Sequence, residues 1–280
     1  MRTQYSKKSL AEDVEIMKIC ILRAAGTNCD LETKYALEHF KCLAEVVHIN
    51  QFIKGKKNLL SYDGLVIPGG FSFGDHIRSG AILGKIVCEK FRDLKKFVEE
   101  EKPVWGICNG FQMLVESGLL PGFEGISRQP EAALTKNTSS KYEDRWVYLR
   151  SMNKGSCIFT KGIKKLLRMP VAHSEGKFTL PPRKEREYLK KLEENCQIVF
   201  CYARQSGVPA EGSYPENPNG SISDIAGICN PSGTIFGLMP HPERAFHRIT
   251  YPDWTKDDLK GEGDGYLIFK NMVDYVRKRR

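Results

Sequence analysis

Apolar residues in the first 120 positions form short runs separated by amphipathic stretches. The runs predict buried strands at residues 15–22, 44–49, 64–67 and 103–107. Apolar residues recur at helical spacing over residues 30–43 and 81–101. Strands that alternate with helices favour a parallel sheet, and the unbroken run Leu65-Val66-Ile67 indicates that both of its faces are covered.

Beyond Ser117 the apolar runs become shorter and lie between Gly, Pro, Asn and Lys. They predict added antiparallel or mixed strands at residues 146–149, 157–159, 169–173, 197–203, 225–229 and 234–239. Residues 180–194 predict a charged helical insert or lid, and residues 265–279 a closing amphipathic helix. The fold class expected is α/β: an open, mostly parallel sheet with helices on both faces, plus short antiparallel or mixed strands. One domain over residues 14–280 is expected, with a mobile extension at residues 1–13.

Composition narrows the class of protein. The chain has 280 residues, of which 41% are hydrophobic and 28% charged, as in ordinary globular proteins. No apolar run reaches the roughly 18 to 20 residues of a membrane helix. The nine cysteines are odd in number and include no CxxC pair, which argues against a disulfide scaffold and a structural metal site. The polar N-terminus has no signal-peptide pattern, so we expect a cytoplasmic protein.

The net charge of +9 raises the possibility of nucleic-acid binding. The basic residues are dispersed, however, over residues 54–57, 161–168, 183–191 and 277–280, and the third group alternates with glutamates. This pattern favours solvated faces or a docking surface, so neither nucleic acid nor membrane is expected as a partner.

The sharpest chemical signal is Gly106-Ile-Cys108-Asn-Gly110, between a predicted strand and a helix. A nucleophile at so tight a turn needs small residues two positions away on either side. The N-terminus of the following helix favours the reactive thiolate. The alternative is that Cys108 is one more buried thiol.

A cysteine nucleophile needs an acid-base group and a residue that orients it. The segment Met239-Pro-His241-Pro-Glu243 offers both. Since each proline disfavours helix at the preceding residue, we expect an extended segment in which Glu243 and His241 point the same way. The alternative for His241 is a structural histidine.

Two glycines, Gly69 and Gly70, end another predicted strand. Glycine lets the backbone approach a reacting carbonyl and aim an N–H group at the oxyanion. Gly70 or Phe71 is expected to supply one donor and Asn109 the other. A plain tight turn would use the same glycine pair.

These three motifs together resemble the triad class of glutamine amidotransferases. Within that class the sequence is similar to the glutaminase subunits of phosphoribosylformylglycinamidine synthase. The resemblance spans roughly residues 15 to 250. It rests on Arg23-Ala-Ala-Gly-Thr-Asn-Cys-Asp30, Ile67-Pro-Gly-Gly-Phe-Ser-Phe-Gly-Asp75, Gly106-Ile-Cys-Asn-Gly-Phe-Gln112, Ala172-His-Ser-Glu-Gly176, Asn217-Pro-Asn-Gly-Ser221 and Gly237-Leu-Met-Pro-His-Pro-Glu-Arg244.

The resemblance implies that Cys108 is the nucleophile, His241 the acid-base and Glu243 its orienter, and that Gln112 helps hold the substrate amide. His173 and Glu175 stay outside the catalytic set, as residues of the substrate pocket or the subunit interface. It also implies L-glutamine as substrate and no cofactor or metal in this chain. ATP, Mg²⁺ and formylglycinamide ribonucleotide would bind a partner synthetase subunit, and a small third subunit would bridge the two.

Two other functions remain open at this point. One is a cysteine hydrolase or an amidotransferase subunit of another pathway on a similar sheet. The other is a catalytically silent subunit that holds RNA or a protein through its basic surface. An intact Cys-His-Glu set argues against the silent subunit, and the lack of a GxxxxGK[ST] loop argues against ATP chemistry in this chain.

Overall fold

The computed structural model describes residues 16–256 and 261–280. The extension expected at residues 1–13 lies outside the described residues. The strands are β1 (Lys18–Arg23), β2 (Leu43–His48), β3 (Gly64–Ile67), β4 (Val104–Ile107), β5 (Ala133–Thr135), β6 (Glu143–Ser151), β7 (Leu167–His173), β8 (Lys177–Thr179), β9 (Ile198–Ala203), β10 (Ile225–Cys229) and β11 (Ile235–Leu238). The α-helices are α1 (Asp30–Glu38), α2 (Ile49–Ile53), α3 (Ala81–Lys90), α4 (Leu94–Glu99), α5 (Asn109–Glu116), α6 (Glu185–Glu194) and α7 (Tyr266–Arg279).

Nine strands form one mixed sheet in the order β2-β1-β3-β4-β11-β10-β9-β6-β7. The five strands from β2 to β11 are parallel to one another. The remaining four, from β10 to β7, add on antiparallel. A separate two-stranded ribbon pairs β5 with β8. The predicted α/β class, with a mostly parallel sheet and added antiparallel strands, is confirmed.

Helices cover both faces of the parallel part of the sheet. The β1–α1–β2 and β3–α3–α4–β4 crossovers run in opposite directions along the sheet, so their right-handed connections place the helices on opposite faces. Helix α1 packs against α7, and α3 packs against α5. Trp105 of β4 is fully buried and meets Phe269 of α7 with ring centroids 4.7 Å apart. None of the helices in the described residues is long and apolar enough to cross a bilayer.

Two predicted helices have different boundaries in the structure. The helix expected over residues 30–43 ends at Glu38, because the chain turns through a left-handed Lys41 (φ 59°) and Leu43 already begins β2. The amphipathic stretch 81–101 is two helices, α3 and α4. At the break between them Phe91 packs against Phe52, with ring centroids 4.7 Å apart. Helical periodicity alone did not show either interruption.

One predicted strand is wrong. Residues 157–159 belong to a turn that includes the 3₁₀ helix Ile158–Thr160. Asn153 holds this turn, because its side chain accepts from the N–H of Cys157 and donates to the Cys157 carbonyl. Cys157 and Phe159 are fully buried, so the apolar run correctly marked core residues but not their conformation.

Candidate active site

The three segments singled out by the sequence meet at one edge of the sheet. Strands β3, β4 and β11 are parallel neighbours, with Ile67 opposite Gly106 and Leu238 opposite Ile107. Their carboxyl ends therefore lie side by side, which is where open α/β sheets bind ligands. The Gly69-Gly70 pair, Cys108 and His241 follow these three ends.

Cys108 occupies the sharp turn between β4 and α5. Its backbone is strained, with φ 51° and ψ −105°. A Cβ on Gly110 would lie 1.9 Å from the Ile67 carbonyl oxygen, and one on Gly106 would lie 2.5 Å from the Gly110 oxygen. Both flanking positions therefore have to be glycine, which meets the requirement of the elbow hypothesis for small residues. The Cys108 thiol is buried, with its Sγ 3.7 Å from the Ala172 carbonyl oxygen.

His241 and Glu243 form a buried pair beyond β11. The His241 Nδ1 lies 2.6 Å from Glu243 Oε1. His241 is extended (φ −104°, ψ 92°), and its backbone N–H donates to the Pro170 carbonyl of β7. The expectation that Glu243 is also extended is wrong. Pro242 begins a 3₁₀ turn, Pro242–Ala245, and this turn brings the carboxylate back to the imidazole.

The surroundings of His241 favour its protonated form. Burial alone would lower the pKa of His241, but the Glu243 carboxylate, the Cys108 thiol and the Cys29 thiol together raise this pKa well above its usual value. Because Nδ1 is bound to the carboxylate, the other ring nitrogen, Nε2, is left for proton transfer. Among the described residues, His241 Nε2 has no hydrogen-bond partner.

Two backbone N–H groups at this edge of the sheet, those of Gly70 and Asn109, are available as hydrogen-bond donors. Gly70 has φ 146°, a conformation that favours glycine, and Asn109 is the first residue of α5. Within the part of the chain that the structure describes, neither of these N–H groups donates a hydrogen bond. The N–H of the alternative donor, Phe71, donates to the Gly26 carbonyl at 2.9 Å, which favours Gly70 as the donor.

Side-chain amides fix the orientation of the first turn of α5. Asn109 Oδ1 accepts from the Ser72 N–H at 3.1 Å, and Asn109 Nδ2 donates to Gln112 Oε1 at 3.0 Å. Gln112 Nε2 in turn donates to the Glu175 carbonyl at 2.5 Å. Gln112 is therefore buried and not a helix-surface amide. One lone pair of Oε1 and one Nε2 hydrogen are used in these bonds, so the second lone pair and the second N–H are what Gln112 can offer a substrate.

The sequence left His173 and Glu175 without a catalytic role. In the structure His173 is the last residue of β7, and Glu175 follows it two positions later. His173 is fully buried, and burial followed by the charge of His241 lowers its pKa to about 3. Its Nδ1 is 3.1 Å from Asn137 Oδ1. Glu175 accepts from the Ser79 N–H at 2.9 Å. His173 is therefore neutral near pH 7, and Glu175 anchors the loop that precedes α3.

Cys29 is the residue at the site to which sequence reasoning gave no role. Its Sγ lies 3.9 Å from His241 Nδ1 and accepts from Arg244 Nη2 at 3.3 Å. Burial raises the pKa of the Cys29 thiol. The one signal in the sequence was that Cys29 lies between a predicted strand and a predicted helix. The structure adds that β1 neighbours β3, so its carboxyl end lies at the same sheet edge.

Residues 16–276 match the family described as "CobB/CobQ-like glutamine amidotransferase domain". A phosphoribosylformylglycinamidine synthase subunit PurQ from Archaeoglobus fulgidus is 46% identical over 277 residues, covering 95% of this chain and 99% of that protein. The PurQ subunit of Methanococcus maripaludis is 42% identical over 276 residues, covering 94% and 98%. A chain in the solved structure described as PurLQS from Thermotoga maritima is 30% identical and superposes with a TM-score of 0.69, covering 93% and 99%.

Proposed function

Because the chain belongs to the family with a CobB/CobQ-like glutamine amidotransferase domain, we propose that it is the glutaminase subunit of phosphoribosylformylglycinamidine synthase. The PurQ relatives match nearly the full length of the chain and support this assignment. The observation that carries the chemistry is the strained Cys108 elbow beside the buried His241–Glu243 pair.

In the proposed first step, the Cys108 thiolate attacks the side-chain amide carbon of L-glutamine. The N–H groups of Gly70 and Asn109 bind the oxyanion that forms on the amide oxygen. The protonated His241 gives its Nε2 proton to the amide nitrogen as the C–N bond breaks. The products of this step are ammonia and a glutamyl thioester on Cys108.

In the second step, water hydrolyses the thioester. His241, now neutral, accepts a proton from the attacking water at Nε2, and the oxyanion again lies against Gly70 and Asn109. Collapse of the intermediate expels the Cys108 thiolate and releases glutamate. Glu243 stabilises the imidazolium in both steps and keeps the ring oriented.

The proposal extends to partners. A synthetase subunit would bind ATP, Mg²⁺ and formylglycinamide ribonucleotide and receive the ammonia, with a small third subunit as a bridge, in the cytoplasm. Exposed apolar side chains near the elbow support a docking face there. Phe71 and Tyr142 are 44% and 48% exposed with ring centroids 6.5 Å apart, and Ile77 is 76% exposed.

The first experiment measures ammonia release from glutamine by the purified chain, with and without the synthetase partner and nucleotide. Wild type should release ammonia, and Cys108→Ala should not. Ammonia-dependent synthesis by the assembled complex should survive in Cys108→Ala, because this route bypasses the thioester. Cys88→Ala, which removes an exposed thiol of α3, serves as the matched control. Loss of both activities in Cys108→Ala would show that Cys108 is structural and would contradict the proposal.

A further inference from the structure

Cys29, His241 and Glu243 bring a thiol, an imidazole nitrogen and a carboxylate to one point. Their potential ligand atoms all lie within 4.8 Å of one another. The Cys29 Sγ is 3.9 Å from His241 Nδ1, which is 2.6 Å from Glu243 Oε1. All three side chains are buried, at 1%, 2% and 5% exposure. Over residues 16–256 and 261–280 this is the one such cluster.

We propose that these three residues form a binding site for a thiophilic divalent cation, with Zn²⁺ as the natural occupant, and that the bound ion switches off the catalytic histidine. Cysteine sulfur, histidine nitrogen and carboxylate oxygen are the usual ligands of zinc. Three protein ligands leave a fourth position for water. The thiol in this cluster is Cys29 and not the nucleophile Cys108.

Two of the three distances between ligand atoms are close to those of a zinc site, and the third, from Cys29 to Glu243, is no more than 4.8 Å. Tetrahedral geometry with the usual bond lengths separates nitrogen and oxygen ligands by about 3.3 Å, and sulfur and nitrogen ligands by about 3.6 Å. The Cys29–His241 distance must shorten by a few tenths of an ångström, and the His241–Glu243 distance must open by less than about 1 Å.

The charge of the cluster and the unused acceptor atoms of Glu243 also suit a divalent cation. A Cys29 thiolate and the Glu243 carboxylate together balance a doubly charged ion. Glu243 Oε2 is buried without a hydrogen-bond partner among the described residues, so the carboxylate has unused lone pairs. The opposing group is Arg244, whose positive charge lies beside the site and whose Nη2 donates to Cys29 Sγ at 3.3 Å.

Metal binding at Nδ1 stops the proton transfer on which the proposed function depends. The ion replaces the proton on Nδ1 and the proton of the Cys29 thiol, and both go to solvent. The ring then keeps its proton on Nε2 and cannot accept one from Cys108 or water. The bound ion also withdraws Glu243 from the imidazole. Occupancy therefore inhibits the glutaminase, and a chelator restores it.

Metal binding can be tested without any activity assay. Cd²⁺ is titrated into the fully reduced chain, and the thiolate-to-cadmium charge-transfer absorption and the ions bound per chain are measured. Wild type, Cys108→Ala and the control Cys88→Ala should each bind one tight ion. Cys29→Ser should lose the band and bind that ion more than about tenfold more weakly. Glu243→Gln should weaken binding in the same direction.

The outcomes separate this site from other thiols. Loss of the tight ion in Cys108→Ala, with retention in Cys29→Ser, would place the metal at the nucleophile and overturn the proposal. Glu243→Gln guards against a folding artefact, because it keeps the size of the side chain. Tight binding that survives both Cys29→Ser and Glu243→Gln would also overturn it.

An activity arm then tests the consequence. Zn²⁺ should inhibit ammonia release by wild type, EDTA should reverse the inhibition, and Cys29→Ser should need at least about tenfold more Zn²⁺ for the same fractional inhibition. If the chain shows the cadmium band but no glutaminase activity at all, the proposed function fails and the metal site stands. If it is an active glutaminase without the band, the metal site fails alone.

Discussion

The parallel and antiparallel halves of the sheet contribute to the site in different ways. The parallel half supplies the reacting groups, since Cys108 and His241 follow β4 and β11. The antiparallel half supplies support, since β7 offers the Pro170 carbonyl to the His241 N–H and the Ala172 carbonyl to the Cys108 thiol. Carboxyl ends of parallel strands converge, so reacting groups from distant parts of the chain meet there. The added antiparallel strands contact these reacting groups through backbone carbonyls of β7.

Each half also carries one buried histidine, and their environments differ. Beside His241 lies a carboxylate at 2.6 Å, which helps to raise its pKa despite burial. Beside His173 lies the amide of Asn137, and burial there lowers the pKa to about 3. Equal burial therefore gives opposite protonation near neutral pH. The charge of the neighbour decides which histidine can exchange a proton.

The largest expected effect comes from changing these two histidines in the same way. His241→Gln removes the proton carrier and should lower kcat for ammonia release by about 10⁴-fold. His173→Gln should change kcat by less than about tenfold, because a ring with a pKa of about 3 does not readily accept a second proton near pH 7. Steady-state kinetics on both variants would check this. A loss of about 10⁴-fold in His173→Gln would erase the contrast between the two halves.

The next largest effect tests whether the charge of Glu243 causes the difference between the two histidines. Glu243→Gln keeps a hydrogen-bond acceptor for His241 Nδ1 but removes the charge, so it should lower kcat by about 10³-fold. The same change should lower the pKa of His241, because the carboxylate was raising it. NMR titration of the imidazole would follow that pKa directly. An unchanged His241 pKa in the variant would mean that Glu243 only positions the ring.

A backbone substitution tests how tightly the parallel half is built. Gly110→Ala would force a Cβ to within 1.9 Å of the Ile67 carbonyl and should lower the free energy of unfolding by about 3 kcal/mol or more. Gly207→Ala is the control. No atom lies within 4 Å of a Cβ at this position, but φ is 84°, so the substitution should lower the free energy of unfolding by only about 1 kcal/mol. Urea unfolding measures both. Equal losses would show that the elbow yields to an added methyl group.

Features of the site that depend on local pattern could be predicted from the sequence. The bounds of β3 and β10 were predicted correctly, because each strand is a single run of apolar residues. The small residues around Cys108 were also predicted correctly, because a single tight turn requires them. The bend at Pro242 was missed, because proline is compatible with both an extended chain and the first residue of a helix. Cys29 was missed because its proximity to His241 depends on the order of strands in the sheet.

The smallest expected effect separates the two histidines by the sign of their pH dependence. His173 has a folded-state pKa of about 3, against about 6.5 in the unfolded chain. Between these values only the unfolded chain binds the proton, so the stability that this group contributes is complete above pH 6.5 and falls as pH falls. His241 acts in the opposite sense: its contribution is complete below pH 6.5 and is lost as pH rises through its raised folded value.

Urea unfolding of wild type and His173→Gln at pH 7 and pH 5 isolates the first of these effects. Between the two pH values the wild type should lose about 2 kcal/mol more stability than the variant, because His241 is common to both and cancels. Glutamine suits position 173, since its amide can still donate to Asn137 Oδ1. Equal losses in the two proteins would mean that His173 is hydrated or protonated in the folded chain, and the antiparallel half would then hold a titrating group as well.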